Sequence, residues 1–394
     1  MRRILPIIVA AQFLCTSLWF AGNAVALDMV RDLDLAPGFL AHLTSAVQFG
    51  FIVGTLIYAL LTIADRFSPS AVFFYSSLLA AAFNLGVVIN GLQGFHLLGF
   101  RFFTGFFLAG IYPVGMKIAS DYFAKGLGKS LGYLVGALVL GTSFPHLLKN
   151  FSGDLPWSYV IYATSVLSVL GGLSIYLLVP DGPYRKGMQK LNFKAVVKGF
   201  ENRNFRAAAL GYFGHMWELY AFWAFVPVIL TTYNTFMPSA NLNVPFLSFL
   251  IIAAGGLSCA AGGIISQYAG PRKVAFTALL LSGICCIISP WLLMTGSSTI
   301  LVVFLFFWGL VVTADSPQFS TLVAQNSIET SRGTNLTLVN CIGFSITIVS
   351  IQLLNVLTTY ISTQYLFLFL AIGPVLGILA MLGQREKKYQ DISI

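Results

Sequence analysis

Residues 180–205 read PDGPYRKGMQKLNFKAVVKGFENRNF. This stretch is polar and basic, and it is the longest of its kind inside the chain. On either side of it, apolar runs of the length that crosses a bilayer follow one another, six before and six after. They fall at 4–27, 38–64, 70–91, 94–120, 128–149, 157–179, 206–232, 244–268, 273–294, 299–325, 333–357 and 361–383. Each approximates the roughly 20 residues that span about 30 Å of hydrocarbon as a helix. The reading is an all-α membrane protein of twelve transmembrane helices, split six and six by the basic stretch. The expected parts are an N-terminal six-helix bundle (1–179), a linker loop (180–205), a C-terminal six-helix bundle (206–383) and a tail (384–394).

Composition agrees. Hydrophobic residues make up 57% of the 394 and charged residues only 9%, against about 25% charged in a soluble domain. A large soluble protein with an apolar core does not repeat such runs along its whole length. The opening Met1-Arg2-Arg3 and the run after it resemble a signal peptide, but the run continues to about Leu27, too long for a signal-peptide core. It reads as the first membrane helix. The five cysteines (Cys15, Cys259, Cys285, Cys286 and Cys341) lie inside apolar runs without metal-ligand spacing. They read as small packing residues, and no metal or cofactor is expected.

The net charge of +9 is a statement about topology. With the N-terminus inside, Arg31 and Lys149 lie in outer loops and Arg101 and Lys117 within segment four. The remaining basic residues of the 22 fall on the cytoplasmic side. That asymmetry is the positive-inside pattern, with both termini cytoplasmic. The expected partners are anionic lipid rather than nucleic acid, a small solute, and protons. A bacterial inner membrane and a monomer are expected.

The two halves repeat. Segment four carries Gly105 and, eight residues on, Pro113; segment ten carries Gly309 and, eight residues on, Pro317. The loop after segment two contains Asp65-Arg66, and the loop after segment eight runs from Gly263 through Gly270 to Arg272-Lys273. Segments five and eleven both open on a basic residue and glycine, Lys125-Gly126 and Arg332-Gly333.

On these residues the chain resembles the major facilitator superfamily. The family's loop signature (Gly, three residues, Asp-Arg, any, Gly, any, Arg-Lys) is present in two half-degenerate copies. Asp65-Arg66 stands in the first, where Leu61, Ser68 and Ser70 replace the glycines and arginine. The glycines and Arg272-Lys273 stand in the second, where Gln267-Tyr268 replaces the acidic-basic pair. Arg101 followed by Gly105 resembles the family's helix-four arginine motif. The glycines of segment five (Gly132, Gly136 and Gly141, then Pro145) only partly echo the antiporter signature. The local sequence around Trp19 and around Pro113 is similar to members grouped with cyanate and nitrate porters, without the nitrate porters' arginines. The resemblance implies two pseudo-symmetric bundles around a central cavity lined by helices 1, 4, 7 and 10, and transport by alternating access. It also implies that Asp65, Arg66, Arg272 and Lys273 form a cytoplasmic gate.

Ionisable groups at membrane depth cost about 2.5–3.5 kcal/mol on insertion scales and usually face a pathway. Glu218 in segment seven and Asp315 in segment ten are therefore candidates for proton coupling. His215, three residues before Glu218, shares its helical face and is placed to tune it; the alternative for all three is a structural hydrogen bond. Arg101 is a candidate for coupling or anion contact, or else a salt bridge to a neighbouring helix. Lys117 is a candidate for anion attraction or pairing with Asp315, or else a snorkelling lysine. Gln12, Trp19, Asn23, Gln48, Tyr112, Tyr220, Trp223, Gln318 and Asn340 are candidates to shape a solute site, since amides at this depth need partners. Pro113, Pro227 and Pro317 are expected to bend their helices.

The leading expectation is a proton-coupled transporter of a small organic anion. The alternative is efflux of a drug or amphipathic compound. A membrane enzyme or sensor is disfavoured, because no His/Asp/Glu cluster or large loop domain appears.

Overall fold

Each apolar run becomes one helix or a short series of helices, and Pro69, Pro113, Pro271 and Pro317 each stand in the first turn after a break. The structure is a computed structural model describing residues 3–36, 38–123, 127–153, 155–185, 193–328 and 331–382. Lys125, Lys186, Lys190 and the tail from 383 lie outside the described residues.

The first span is broken into α1 (Ile4–Thr16), α2 (Ala21–Ala24) and α3 (Ala26–Asp32). The second is α4 (Phe39–Leu60), followed by the short α5 (Ile63–Arg66). The third is α6 (Pro69–Gly86), and the fourth is α7 (Gly94–Leu108) continued by α8 (Tyr112–Tyr122). The fifth and sixth are α9 (Leu127–Ser152) and α10 (Ser158–Leu178). The linker holds its own helix, α11 (Phe193–Glu201), and the seventh span, α12 (Arg203–Phe236), starts three residues before the expected boundary. The eighth and ninth are α13 (Val244–Ala269) and α14 (Pro271–Leu292); the tenth is α15 (Ser298–Ala314) continued by α16 (Ser316–Gln325). The eleventh is α17 (Arg332–Leu357), and the twelfth runs through α18 (Thr363–Leu366), a 3₁₀ stretch (Phe367–Ala371) and α19 (Ile372–Leu382). Among the described residues, eleven helices are long and apolar enough to cross a membrane, and the broken first span completes twelve.

Local chemistry sets the starts. Asn202, Asn243 and Ser297 cap α12, α13 and α15 by accepting from first-turn N–H groups. Pro69 and Pro271 sit in the first turn, where a missing N–H costs nothing. Pro113 and Pro317 do the same within spans four and ten. At Pro113 and Pro317 the expected bends are therefore full breaks, each placed just before its proline, because the ring clashes with a helix continuing from the N-terminal side, whereas α12 runs on through Pro227.

The repeat extends to backbone contacts. A Cβ on Gly105 would overlap the Val47 carbonyl of α4, and a Cβ on Gly309 would overlap the Ile251 carbonyl of α13. Spans four and ten thus lie against spans two and eight at the same glycine, the close approach that membrane helices use when lipid supplies no hydrophobic drive.

Helices α1, α4, α6, α7, α9 and α10 pack among themselves, and so do α12 to α15, α17 and α19. The two groups meet along two seams, α4 against α17 and α9 against α13. This is the two-bundle architecture expected from the sequence.

Candidate functional site

Between the bundles lies a cavity of about 730 Å³, lined by parts of α4, α8, α9, α12, α16 and α17. Its mouth is on the face carrying Asp65, Lys117 and Arg332. The opposite face is shut. There the Thr347 hydroxyl of α17 donates to Gln48 Oε1 of α4. Gln352 Nε2 donates to Ser45 Oγ (2.7 Å) and the Ala41 carbonyl (3.1 Å), and Asn243 Nδ2 donates to Asn150 Oδ1 (2.7 Å). Gln48 is therefore a tie across the bundle seam in this conformation.

An aromatic plug closes the inner end of the cavity. The Trp19 ring is 4.8 Å from Phe51, 5.6 Å from Phe344 and 5.9 Å from Tyr220, centroid to centroid. Phe51 and Phe344 are 4.8 Å apart. Trp19 and Phe51 belong to the first bundle, Tyr220 and Phe344 to the second, so tilted ring–ring contacts join the bundles here. Of the expected solute-site residues, Tyr112, Tyr220, Trp223 and Asn340 line the cavity. Asn340 Oδ1 accepts from the Tyr212 hydroxyl at 2.6 Å. Tyr58 and Tyr212 also line it and were not among the sequence candidates. Asn23 donates to Thr44 Oγ1 at 2.7 Å within the first bundle. Gln12 and Gln318 are buried outside the cavity lining.

The charged candidates separate. Arg101 is fully buried and reaches the break between α1 and α2, not the cavity. Its Nη1 donates to Asn84 Oδ1 (2.9 Å), and its Nη2 donates to the carbonyls of Leu18 (3.0 Å) and Trp19 (2.7 Å). These carbonyls fall where the first span breaks after Thr16, and the Leu18 carbonyl accepts only a long backbone bond, from Ala21 N–H at 3.4 Å. The expected salt bridge or anion contact is replaced by a main-chain clamp. Among the described residues, no acidic side chain is ion-paired with Arg101.

Lys117 pairs with Asp65 at 2.9 Å and approaches Asp121 at 3.8 Å, not Asp315. Lys117 and Asp65 lie at the mouth end, whereas Asp315 is at the break of span ten in the other bundle. Asp65 is further tied by Arg185, whose Nη2 donates to its carbonyl at 2.9 Å. Arg66 donates to Thr62 Oγ1, and Arg272 donates to the Met381 carbonyl. Each of these gate contacts stays inside its own half or with the linker start.

His215 and Glu218 diverge. His215 Nδ1 lies 2.8 Å from Asp315 Oδ1, both side chains being about 1% exposed. Glu218 points at α14 and α15. Ser282 Oγ (2.8 Å) donates to one carboxyl oxygen, and Trp308 Nε1 (2.7 Å) and Cys286 Sγ (3.3 Å) donate to the other. The expectation that His215 serves Glu218 is corrected: side chains three residues apart diverge by about 60° around the helix, and here one meets Asp315 while the other meets α14 and α15. Asp315 is the residue at which α15 stops and α16 begins. The pair stands one layer behind Tyr212, Met216 and Ser316, which line the cavity.

One ionisable side chain at depth was absent from the sequence candidates. His146 of α9 is buried, with Nε2 unpartnered. The bilayer-cost argument that singles out His215 applies to it equally.

Comparison with known proteins is consistent with this architecture. The family model described as Major Facilitator Superfamily matches residues 7–351. The chain is similar to a bicyclomycin resistance protein homolog of Haemophilus influenzae, 23% identical over 181 residues, a match spanning 44% of each chain. It is similar to a probable galactarate/D-glucarate transporter of Escherichia coli, 21% identical over 318 residues, 74% of this chain and 68% of that one. Among solved structures it superposes, with a TM-score of 0.70 and 13% identity, on a bacterial homolog of the human lysosomal transporter Spinster in an inward-facing, unoccupied conformation. That match covers 97% of this chain and 94% of the other.

Proposed function

The chain belongs to the major facilitator superfamily, and on that premise we propose that it is a proton-coupled transporter of a small amphipathic solute with an aromatic or apolar body. In this reading it sits in a bacterial inner membrane with both termini cytoplasmic, so the cavity opens to the cytoplasm.

The observation that carries the solute class is where the cations lie. An organic anion, the class in the name of the Escherichia coli relative, needs a positive group at depth. Arg101 is spent on main-chain carbonyls behind the cavity wall. Lys117 is paired with Asp65 near the mouth, and Arg332 is held at its Nε by the Ala324 carbonyl. At depth the cavity offers rings and neutral polar groups: Tyr112, Tyr220, Phe344, Asn340, and Trp223, whose indole N–H has no protein partner. Such a lining binds by area and a few hydrogen bonds rather than by charge.

Coupling is assigned to His215–Asp315. A proton added to Asp315 removes the attraction across the 2.8 Å pair and acts at the break of span ten, whose second half lines the cavity. Glu218, with its three donors, anchors α12 to α14 and α15.

The deciding experiment is a thermal-shift panel on the purified protein with anionic, cationic and uncharged amphipathic solutes, followed by uptake or efflux in proteoliposomes under a pH gradient. A ligand that binds only the native state raises its stability. Stabilisation by uncharged or cationic aromatic compounds is expected. Stabilisation confined to sugar acids and other small anions would overturn the solute class.

A further inference from the structure

The face of α9 that lines the cavity does not end at the plug. Val135 and Val139 line the cavity. Thr142 and His146 follow on the same stripe, at the spacing of three and four residues that keeps side chains on one helical face. Both are buried, at 0% and 2% exposure, and Thr142 Oγ1 and His146 Nε2 have no partner. Gly141, just before them, packs on Thr16, one turn below Trp19. Lys149, one turn beyond, is ion-paired with Asp28 at 2.6 Å near the shut face. His146 therefore lies between the plug and the shut rim.

The opposing helix carries a matching group. Gly136 approaches Gly256 and Asn150 bonds Asn243, so facing residues of α9 and α13 sum to about 393. That register sets His146 level with Ser248, itself buried with an unpartnered hydroxyl. An unmade buried hydrogen bond is costly. Three such groups along one seam are explained by a second state in which the seam parts and water reaches them.

We propose that His146 is a proton-binding site on the shut-face half of the transport path, separated by the aromatic plug from the His215–Asp315 pair. The inference rests on the proton-coupled reading above. When the seam parts, His146 Nε2 takes a proton from outer water and becomes an imidazolium; the closed seam offers that cation no carboxylate. Lys149–Asp28 is the nearest charged pair. The other titratable groups on elements packed against α9 are Cys15 on α1, Tyr112, Lys117, Asp121 and Tyr122 on α8, the tyrosines of α10, Cys259 and Tyr268 on α13, and Asp315 at the start of α16. Among the described residues, none forms an ion pair with His146. Protonation therefore favours the parted seam.

The test uses the full chain in right-side-out and inside-out vesicles on solid-supported membranes. The probe is a pH jump without solute, read as a transient current. In the wild type both faces are expected to give a transient. His146→Gln should cut the outer-face transient at least fivefold and leave the inner-face one, and Asp315→Asn should do the reverse. An outer-face transient in His146→Gln within twofold of the wild type overturns the proposal. No transient on either face of the wild type overturns the coupling reading itself, and this inference with it. His146→Asn serves if the Gln variant does not fold. On unmutated protein, diethyl pyrocarbonate applied to the outer face should abolish that transient in step with the His146 adduct, read by mass spectrometry. Loss that tracks only the exposed His42 and His96 overturns the proposal.

Discussion

Arg101 Nη2 stands 2.7 Å from the Trp19 carbonyl, so a buried cation on span four holds the backbone of the residue that plugs the cavity from span one. Hydrogen bonds to a charged group contribute about 1.5–3 kcal/mol each. Arg101→Met strips donors from Leu18, Trp19 and Asn84 together. It is expected to cost about 3 kcal/mol or more, seen as a lowered midpoint of thermal unfolding in detergent. Arg101→Lys should recover only part, because one ammonium cannot reproduce the fork. An unchanged midpoint in Arg101→Met would show that the clamp contributes nothing.

The two deep carboxyls are expected to part company. Asp315→Asn should abolish accumulation driven by a pH gradient and leave solute exchange across proteoliposomes intact. Glu218→Gln should keep coupling but lose stability by about 1–3 kcal/mol, since the amide N–H₂ replaces one acceptor oxygen and faces either the Ser282 donor or those of Trp308 and Cys286. Coupling lost in Glu218→Gln at wild-type stability would reverse the assignment.

Gly105 and Gly309 should behave as a pair. Alanine at either puts a methyl into a backbone carbonyl of the adjacent span, and overpacking of this kind costs about 1–3 kcal/mol. The two contacts sit in different bundles, so the double variant should show close to the summed loss. Midpoints of the single and double variants by differential scanning fluorimetry check this, and a neutral Gly309→Ala would break the correspondence.

Binding should depend on rings rather than on lysine. Trp223→Ala is expected to weaken a stabilising solute about tenfold, or about 1.4 kcal/mol. Lys117→Met should leave affinity within about twofold, because its charge is already engaged by Asp65. Equilibrium binding to both variants decides between them; a large loss in Lys117→Met would restore the anion reading.

Asn150 and Asn243 mark the shut rim. With the native cysteines buried, Asn150→Cys/Asn243→Cys should be bridged by a short reducible bis-thiosulfonate, halting transport until reductant is added. Transport that persists through complete bridging would mean this seam does not open.

The span count, the six-plus-six division and the interruptions at Pro113 and Pro317 were legible in the sequence, because each follows from a local quantity. About 20 apolar residues fill a bilayer, a proline disfavours the helix that precedes it, and the spacing of Gly105 to Pro113 recurs at Gly309 to Pro317. That bilayer depth makes an ionisable group costly was also legible, and it pointed to Arg101, His215, Glu218 and Asp315. Which way each of them faces was decided only by the tertiary structure. In a soluble helix the apolar stripe reveals the inner face. In a membrane helix lipid and protein interior are equally apolar, so sequence periodicity carries no such mark. Hence His215 and Glu218, three residues apart, turn to different helices, and Arg101 turns to a broken backbone no motif announces. The depth of His146 could be read from the sequence, but that its Nε2 is buried without a partner is decided by the fold.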